Sequence, residues 1–554
     1  MANNGKNRIF LLGLDGATFD LFRPLIDKGI MPNLDKLMKD SAHGECQSTI
    51  PCTTPVAWST IFTGKNAGKH GIFDFWESYH LDSRRPLISL SSLRTTPFWE
   101  ILNRFELNSI LLNVPITYPP QPVNGAMISG MMTPSENCSF TYPPELRHEI
   151  MGEFPDYRLN IDIPKYDTSH FKDCMRFLDD IDHSFDTRCK LMFYLMENHY
   201  WDMFFAVFVL PDRIQHLFWK YIDPRYDNFR KDDEGRAIYE RILELYENLD
   251  TMIGQLRESL TENDYIYVVS DHGFGSTDAY INVNYLLEQW GYLKTKSGKL
   301  FREAFFKAWV YSETSLVKKL IPEMLQRAIR NGIRKRRSSF ISGLENVVDF
   351  DKSPAFFSSI PSQGIYINRE LLRNSGKERD YDKIRDDLRN KLLNISVPGS
   401  DEPVVDKVYF SEEIFNGLYA RYAPDLVFVA RNYSYLGRQH IGPREAVTDI
   451  SKEPSGFHRS NGIFICAGPH VRRDYNLMGS SLVDVAPTLL YSMGLPVFRD
   501  MDGRVLDEIF DDRLKREVTI ASDDEISFAP YEQNLYTERE FEEIENRLKS
   551  LGYG

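Results

Sequence analysis

Short apolar segments that alternate with amphipathic ones are the feature that most limits how this chain can fold. The apolar segments carry almost no charge, which is typical of strands buried on both faces of a parallel sheet. They are RIFLLGLD (8–15), SILLNV (109–114), MFFAVFVL (203–210), YIYVVSD (265–271), PDLVFVA (424–430) and GIFICAG (462–468). Helical patterns separate them; one apolar face joins Leu245, Leu249 and Leu256. This order predicts an α/β fold with a central, mostly parallel sheet flanked by helices.

The rhythm of strands and helices is interrupted twice, which predicts two insertions into one core. Residues 285–405 are interpreted as an inserted cap and residues 130–190 as a smaller insertion. A charged run within the cap, RKRRSS (334–339), has two interpretations: a solvated helix face, or a contact for an anionic substrate or membrane surface. The predicted catalytic core then comprises residues 1–130, 190–285 and 405–510.

Residues 511–554 form a predicted tail with a docking helix. Thr537 and Glu540 have the spacing of a capping box at the start of that helix. Apolar residues then recur at helical spacing: Phe541, Ile544, Leu548 and Leu551.

Composition narrows the possible partners and the cellular compartment. The formal net charge of -14 argues against nucleic acid as a partner. The six cysteines form no CxxC pair, so a disulfide scaffold is not expected in the 554-residue chain. The sequence starts without a pattern typical of a secretion signal, and no apolar run is long enough to predict a transmembrane segment. We therefore expect a cytoplasmic protein.

Acidic and imidazole side chains occur at or near the ends of four predicted strands. In open α/β sheets ligands bind at the carboxyl ends of the strands. We therefore expect five of these six residues to converge there, and the sixth, His458, to reach in from a loop before its strand. Carboxylate and imidazole together suit zinc, manganese or ferrous iron. Gly273, after one Asp-His pair, would permit the chain to turn there. The six residues are Asp15, Asp212, His216, Asp271, His272 and His458.

Two adjacent threonines precede a proline in the segment TIPCTTPVAWSTIFTG (49–64). A residue directly before proline is disfavoured in a helix, so Thr54, before Pro55, is expected to be non-helical. From the residues alone, Thr53 or Thr54 either begins a turn or provides a nucleophilic hydroxyl.

Taken together these motifs resemble the alkaline phosphatase superfamily, in particular its type I phosphodiesterase/nucleotide pyrophosphatase family. The similarity covers most of residues 8–130, 200–290 and 405–510. Its motifs follow the family's order: LLGLDGATFD (11–20), the threonine segment, LPDRIQHLFWKYIDP (210–224), VVSDHGFG (268–275), GFHRSNGIFICAGP (456–469) and LVDVAPTLLYSMGLPVFRDMDGRVL (482–506).

The resemblance implies two divalent metal ions. Zinc is the expected metal, and manganese and iron are alternatives. It assigns one metal to Asp212, His216 and His458. It assigns the other to Asp15, Asp271 and His272, with the oxygen of Thr54 as a further ligand. In the family the nucleophile lies a fixed number of residues before a Thr-Gly pair, here Thr63 and Gly64. Counting back from Thr63 without gaps gives Thr54, whereas the family's usual T-x-P motif favours Thr53.

The implied activity is hydrolysis of phosphate esters through a phosphothreonine, with a small-molecule ester or nucleotide-like compound as substrate. A phosphomonoesterase, a phosphonate hydrolase and a phosphoryl-group transferase are alternatives, and so is a binding protein that has lost the reaction. A sulfatase is disfavoured because the C/S-x-P-x-R context is missing. Phe75 stands where some nucleotide pyrophosphatases carry an asparagine that donates to the phosphoryl oxygen, which leaves the oxyanion donor open.

Overall fold

The computed structural model describes residues 7–78, 85–161, 163–296, 348–397, 399–441, 445–452, 454–514, 517–521 and 536–553. The basic run 334–339 lies outside these residues, as does much of the predicted cap. Among the residues that the structure describes, no helix combines the length and the apolar character that crossing a membrane requires.

The strands, numbered along the chain, are short. They are β1 Ile9–Leu14, β2 Ala42–Gln47, β3 Ser109–Val114, β4 Gly125–Ser129, β5 Thr141–Tyr142, β6 Met203–Phe208, β7 Tyr265–Val269, β8 Gly273–Thr277, β9 Ala279–Asn282, β10 Ala355–Phe357, β11 Gly364–Ile367, β12 Val405–Phe410, β13 Leu426–Ala430, β14 Tyr435–Arg438, β15 Val447–Asp449, β16 Ser455–Arg459, β17 Asn461–Ala467, β18 Tyr475–Asn476, β19 Ser480–Ser481, β20 Val497–Phe498 and β21 Ile520–Ala521.

The helices range from one turn to seven or more. Those before residue 296 are α1 Phe19–Asp27, α2 Pro32–Lys39, α3 Thr54–Thr63, α4 Ala67–His70, α5 Phe98–Arg104, α6 Leu146–Glu153, α7 Phe171–Asn198, α8 Leu210–Ile222, α9 Asp233–Ser259 and α10 Val283–Gln289. Later in the chain follow Arg369–Asn374, Tyr381–Leu393, Ser411–Ile414, Val485–Ser492 and the last helix, Glu538–Ser550.

A ten-stranded sheet forms the centre of the molecule. Its order is β18-β2-β17-β7-β1-β6-β3-β4-β5, with β19 also on β2. The inner strands β7, β1, β6, β3 and β4 are parallel neighbours. Every residue of β1, β6 and β7 is buried, as their continuous apolar sequences predict. The predicted α/β fold, a central sheet flanked by helices, is confirmed.

The prediction of parallel strands in one central sheet is wrong for two of the apolar segments. Segment 462–468 becomes β17, which runs antiparallel to both β7 and β2. Segment 424–430 becomes β13, which belongs to a different, mainly antiparallel sheet. Continuous burial on both faces produced the same apolar pattern in each setting, so the pattern alone could not distinguish strand direction or sheet.

The second sheet has seven strands in the order β10-β11-β13-β14-β9-β15, with β12 on β13. It has its own apolar core, separate from that of the ten-stranded sheet. This sheet begins at Ala279 and continues to Asp449, so it extends beyond both ends of the predicted cap, 285–405. The predicted smaller insertion, 130–190, contributes β5 to the edge of the ten-stranded sheet.

The last helix begins with the predicted capping box. Thr537 Oγ1 accepts from the Glu540 backbone N–H, and the Glu540 carboxylate accepts from the Thr537 N–H at 2.8 Å. This helix buries the predicted apolar residues: Phe541, Ile544 and Leu548, followed by Leu551. The helix thereby places Tyr553 inside the molecule, fully buried.

Candidate active site

Three adjacent parallel strands bring most of the predicted site residues to one edge of the ten-stranded sheet. Asp15 directly follows β1, and Asp271 and His272 follow β7. Asp212 and His216 lie one turn apart on α8, which begins two residues after β6. Since β1 pairs in parallel with both β6 and β7, their carboxyl ends lie side by side.

His458 reaches the same place from a separate two-stranded ribbon. It lies in β16 and pairs with Phe274 of β8, the strand that follows His272. His458 was expected on a loop and instead lies on a strand, but it does reach the carboxyl ends of the central strands. Gly273 also differs from expectation: its φ is not positive, and an added Cβ would lie 2.3 Å from the Asn461 carbonyl oxygen. A close approach of β17, rather than a left-handed turn, requires glycine there.

Asp15, Asp271 and His272 form the first cluster of possible metal ligands. His272 Nε2 lies 3.2 Å from Asp271 Oδ2 and 3.7 Å from Asp15 Oδ1. Both of these carboxylate oxygens are buried and have no hydrogen-bond donor among the described residues. Burial raises the pKa of Asp15 and Asp271 well above the usual range, and the neighbouring carboxylates add to that shift. Two crowded carboxylates with unpartnered oxygens fit a cation.

Asp212, His216 and His458 form the second cluster. Asp212 Oδ1 lies 3.2 Å from His216 Nε2 and 3.6 Å from His458 Nε2, and the two imidazole nitrogens are 3.2 Å apart. Each imidazole places Nδ1 against a backbone carbonyl, His216 at 3.2 Å and His458 at 2.9 Å. A carbonyl oxygen only accepts, so each Nδ1 donates to it, and each Nε2 faces the Asp212 carboxylate and the other imidazole. This arrangement fits a cation better than a hydrogen-bond network.

The two clusters adjoin through stacked imidazoles. The rings of His272 and His458 lie 3.5 Å apart at 17°. Burial lowers the pKa of His272 well below the usual range and that of His458 to about 4, so both are neutral at neutral pH. Burial opposes ionisation of Asp212, yet His216 and Arg213 hold its pKa well below the usual range. Neutral imidazole is the form that binds metal, and a bound cation would favour ionisation of Asp15 and Asp271 against the effect of burial.

The two threonines of the opening segment have different surroundings. Thr54 is the first residue of α3, and its Oγ1 lies 3.3 Å from His272 Nε2. Thr53 precedes the helix, and its buried hydroxyl has no hydrogen-bond partner among the described residues. The expectation that Thr54 would be non-helical was wrong, because a proline in the first helical turn removes an N–H that has no acceptor there.

Trp58 fixes the orientation of Asp15. Its Nε1 donates to Asp15 Oδ2 at 3.2 Å, and its ring packs so closely on β1 that a Cβ on Gly13 would come within 2.5 Å of it. Polar residues near the threonine segment have structural partners instead. Lys65 pairs with Asp500 and donates to Thr95, and Asp74 accepts from Ser359.

Tyr553 is a site residue that the sequence analysis missed. Its hydroxyl lies 2.9 Å from Nε2 of both His216 and His458. Its ring stacks on Phe75, with centroids 4.9 Å apart at 24°. Phe75, which departs from the family's asparagine, therefore packs against the tyrosine that covers the second cluster. The sequence did predict a capped helix with an apolar face that includes Leu551. That pattern predicts that the helix docks, but it does not predict the surface on which it docks.

Comparisons with known proteins identify the family of this chain and structures with a similar fold. The family model for type I phosphodiesterase / nucleotide pyrophosphatase matches residues 9–461. Comparison with curated protein sequences finds no match. Phosphonoacetate hydrolase from Sinorhizobium meliloti 1021, solved with phosphonoformate, superimposes with a TM-score of 0.52 at 13% identity, covering 88% of this chain and 95% of that one.

A second similar structure is human ectonucleotide pyrophosphatase / phosphodiesterase 5, with a TM-score of 0.48 and 13% identity over 91% of this chain and 100% of that one. At 13% identity the similarity between this chain and phosphonoacetate hydrolase shows a shared fold only. The family model, in contrast, matches most of the sequence. This chain belongs to the type I phosphodiesterase / nucleotide pyrophosphatase family, a family of phosphate-ester hydrolases.

Proposed function

We propose that this chain is a metal-dependent hydrolase of phosphate esters that uses Thr54 as its nucleophile. One observation carries the proposal: six acidic and imidazole residues from four distant segments meet, buried, beside the Thr54 hydroxyl. Buried polar atoms ordinarily have hydrogen-bond partners. Here one oxygen each of Asp15, Asp212 and Asp271 has none among the described residues, which is expected of metal ligands and not of structural carboxylates.

The donor sets suit two divalent cations. The first cluster, with the oxygen of Thr54, would hold one and the second cluster the other. Bound there, the cations would supply Lewis acidity, which lowers the pKa of an alcohol and screens the charge of a phosphoryl group. Mixed carboxylate and imidazole ligands favour zinc, with manganese and iron as alternatives.

The protein positions Thr54 for attack. Its Oγ1 is adjacent to His272 and lies at the positive end of α3, which favours developing negative charge on the oxygen. Attack of Oγ1 on phosphorus forms the bond of a phosphothreonine and breaks the bond to the leaving group. Water then cleaves the phosphothreonine and releases the second product.

The second cluster and Tyr553 mark the leaving-group side. An in-line displacement needs the leaving oxygen opposite the attacking one. His458 stacks on His272 and connects the Thr54 side of the site to His216. We assign the leaving oxygen to the space where the Tyr553 hydroxyl touches both imidazoles, so that the substrate displaces this hydroxyl.

Phosphodiesters are the preferred substrate class, and phosphonates are a second candidate. Phe75 in place of the family's asparagine disfavours a nucleotide pyrophosphatase more than it disfavours phosphoryl transfer in general. The structural similarity to a phosphonoacetate hydrolase supports testing phosphonates as well.

A substrate panel tests the proposal. The metal-loaded protein is assayed with p-nitrophenyl phosphate, bis(p-nitrophenyl) phosphate, phosphonoacetate and p-nitrophenyl sulfate, before and after chelation. We expect the diester to be hydrolysed fastest, loss of activity on chelation, and recovery when zinc is added. Acid quenching followed by peptide mass spectrometry should find phosphate on Thr54. Hydrolysis that survives complete metal removal would contradict the proposal, and so would the absence of hydrolysis with every phosphorus substrate.

A further inference from the structure

A cleft lined by arginines lies on the other side of Asp212 from the imidazoles. It has about 450 Å³ of empty space, including its open mouth. Three arginines line it, one each from α7, α8 and the last helix: Arg188, Arg213 and Arg547. Among the residues that the structure describes, no acidic side chain lines it. Three cations around one cleft are unusual in a chain whose net charge is -14.

Arg188 is the least compensated of the three. It is only 5% exposed, and its guanidinium donates to the Leu159 carbonyl at 3.1 Å. Its Nε has no hydrogen-bond partner, and no carboxylate of the described residues pairs with it. Burial lowers its pKa, and the charge of Arg213 lowers that pKa further. A guanidinium keeps its proton in proteins, so this side chain holds a buried, unpaired charge, which is costly unless an anion accompanies it.

Arg213 connects the cleft to the candidate active site. Its Nη1 donates to Asp212 Oδ2 at 2.5 Å, while Asp212 Oδ1 faces His216 and His458. One carboxylate therefore separates the cleft from the second ligand cluster. Arg547 donates to the Thr133 and Pro134 carbonyls, which fixes its position at the rim.

We propose that this cleft is a binding site for an oxyanion, a phosphate, sulfate or carboxylate group, distinct from the position of the reacting phosphorus. Guanidinium groups match such anions because their N–H donors form paired, charge-assisted bonds. The apolar walls strengthen the attraction by excluding water. They include Ile161, Ile181, Phe185, Phe208 and Leu210.

The test compares Arg188→Met with Arg176→Met. Arg176 lies on the same helix, α7, with its side chain 55% exposed and outside the cleft, so it is a control for loss of one positive charge. Sulfate is the probe, and its affinity is measured by calorimetry and by the rise in Tm. We expect the wild type and Arg176→Met to bind sulfate equally. We expect Arg188→Met to bind at least tenfold more weakly, with an anion-free Tm at or above that of the wild type.

Arg547→Met provides a second variant in case Arg188→Met does not fold, since Arg547 is only partly buried. It should weaken sulfate binding several-fold. Sulfate affinity within twofold of the wild type in whichever of the two variants folds would overturn the inference.

Repeating the titration after chelation separates this site from the proposed catalytic one. Sulfate binding that persists without metal and depends on Arg188 supports the cleft, even if the chain proves inactive. Sulfate binding that disappears entirely on chelation would place the anion at the metal ligands and overturn the inference, while the proposed function would stand.

Kinetics then distinguish a free anion from an acidic group of the substrate. If the substrate supplies the anion, sulfate raises KM for a diester with a carboxylated leaving group more than KM for bis(p-nitrophenyl) phosphate. If the ligand is a free anion, sulfate affects both values equally. Either result supports an oxyanion site and identifies the source of the anion.

Discussion

Replacing each of the two adjacent threonines by alanine should separate catalysis from stability. Thr54→Ala removes the hydroxyl 3.3 Å from His272, and with it one hydrogen bond and one methyl group. These are worth about 1 kcal/mol each, so the free energy of unfolding should fall by about 2 kcal/mol, too little to unfold an ordinary domain. Turnover, in contrast, should fall by roughly 10⁴-fold or more, or about 5 kcal/mol of transition-state stabilisation, because the attacking oxygen is absent.

Thr53→Ala is the matched control. Its buried hydroxyl has no hydrogen-bond partner within the described ranges and makes no helix-capping bond, so the gain from removing it offsets the loss of the methyl group. Stability should then change by less than about 1 kcal/mol, and activity should remain near that of the wild type. Both variants are assayed for bis(p-nitrophenyl) phosphate hydrolysis, urea unfolding and metal content. Wild-type activity in Thr54→Ala together with an inactive Thr53→Ala would show that the nucleophile is Thr53.

Other perturbations examine the ligands, the pH dependence and the covering tyrosine. Asp271→Ala and His272→Ala should each lower the metal content measured by elemental analysis; full occupancy in both would exclude these residues as ligands. Burial lowers the pKa of His70 to about 3, so below pH 6.5 the unfolded chain takes up a proton that the folded chain does not. Stability due to this neutral histidine is present above pH 6.5 and falls by about 2 kcal/mol at pH 5. Urea unfolding of His70→Gln should show a correspondingly weaker loss between pH 7 and pH 5, and an unchanged loss would contradict this assignment. Tyr553→Ala should lower KM for the diester about fivefold, since about 1 kcal/mol of hydrogen bonding no longer opposes the substrate. A fall in kcat at constant KM would instead make the tyrosine hydroxyl a participant in the reaction.

The sequence predicted what depends on local pattern. The apolar runs of β1, β6 and β7 identified the buried central strands, and Asp15, Asp212 and Asp271 followed from their carboxyl ends. The direction of β17 and the sheet of β13 were not predictable, because burial produces the same apolar run in either pairing.

Long-range packing was also beyond the sequence pattern. Tyr553 has no local feature that distinguishes a residue covering imidazoles from an ordinary core tyrosine. The stack on Phe75 joins residues almost five hundred positions apart, and only the folded chain brings them together. The burial of Arg188 was also not predictable from the sequence. It lies on an amphipathic helix, α7, where a charged residue is expected on the exposed face.

The central position of β1 has a consequence for biosynthesis. Residues 9–14 leave the ribosome long before residues 203–208 and 265–269, which are their neighbours in the sheet. Until those two segments have been synthesised, the apolar strand β1 has no neighbouring strand to pair with. The nascent chain is then a target for chaperones and prone to aggregation. The contacts of His216 with His458 and Tyr553 form only after those two residues have been synthesised, so the candidate site is the last part of this arrangement to be completed.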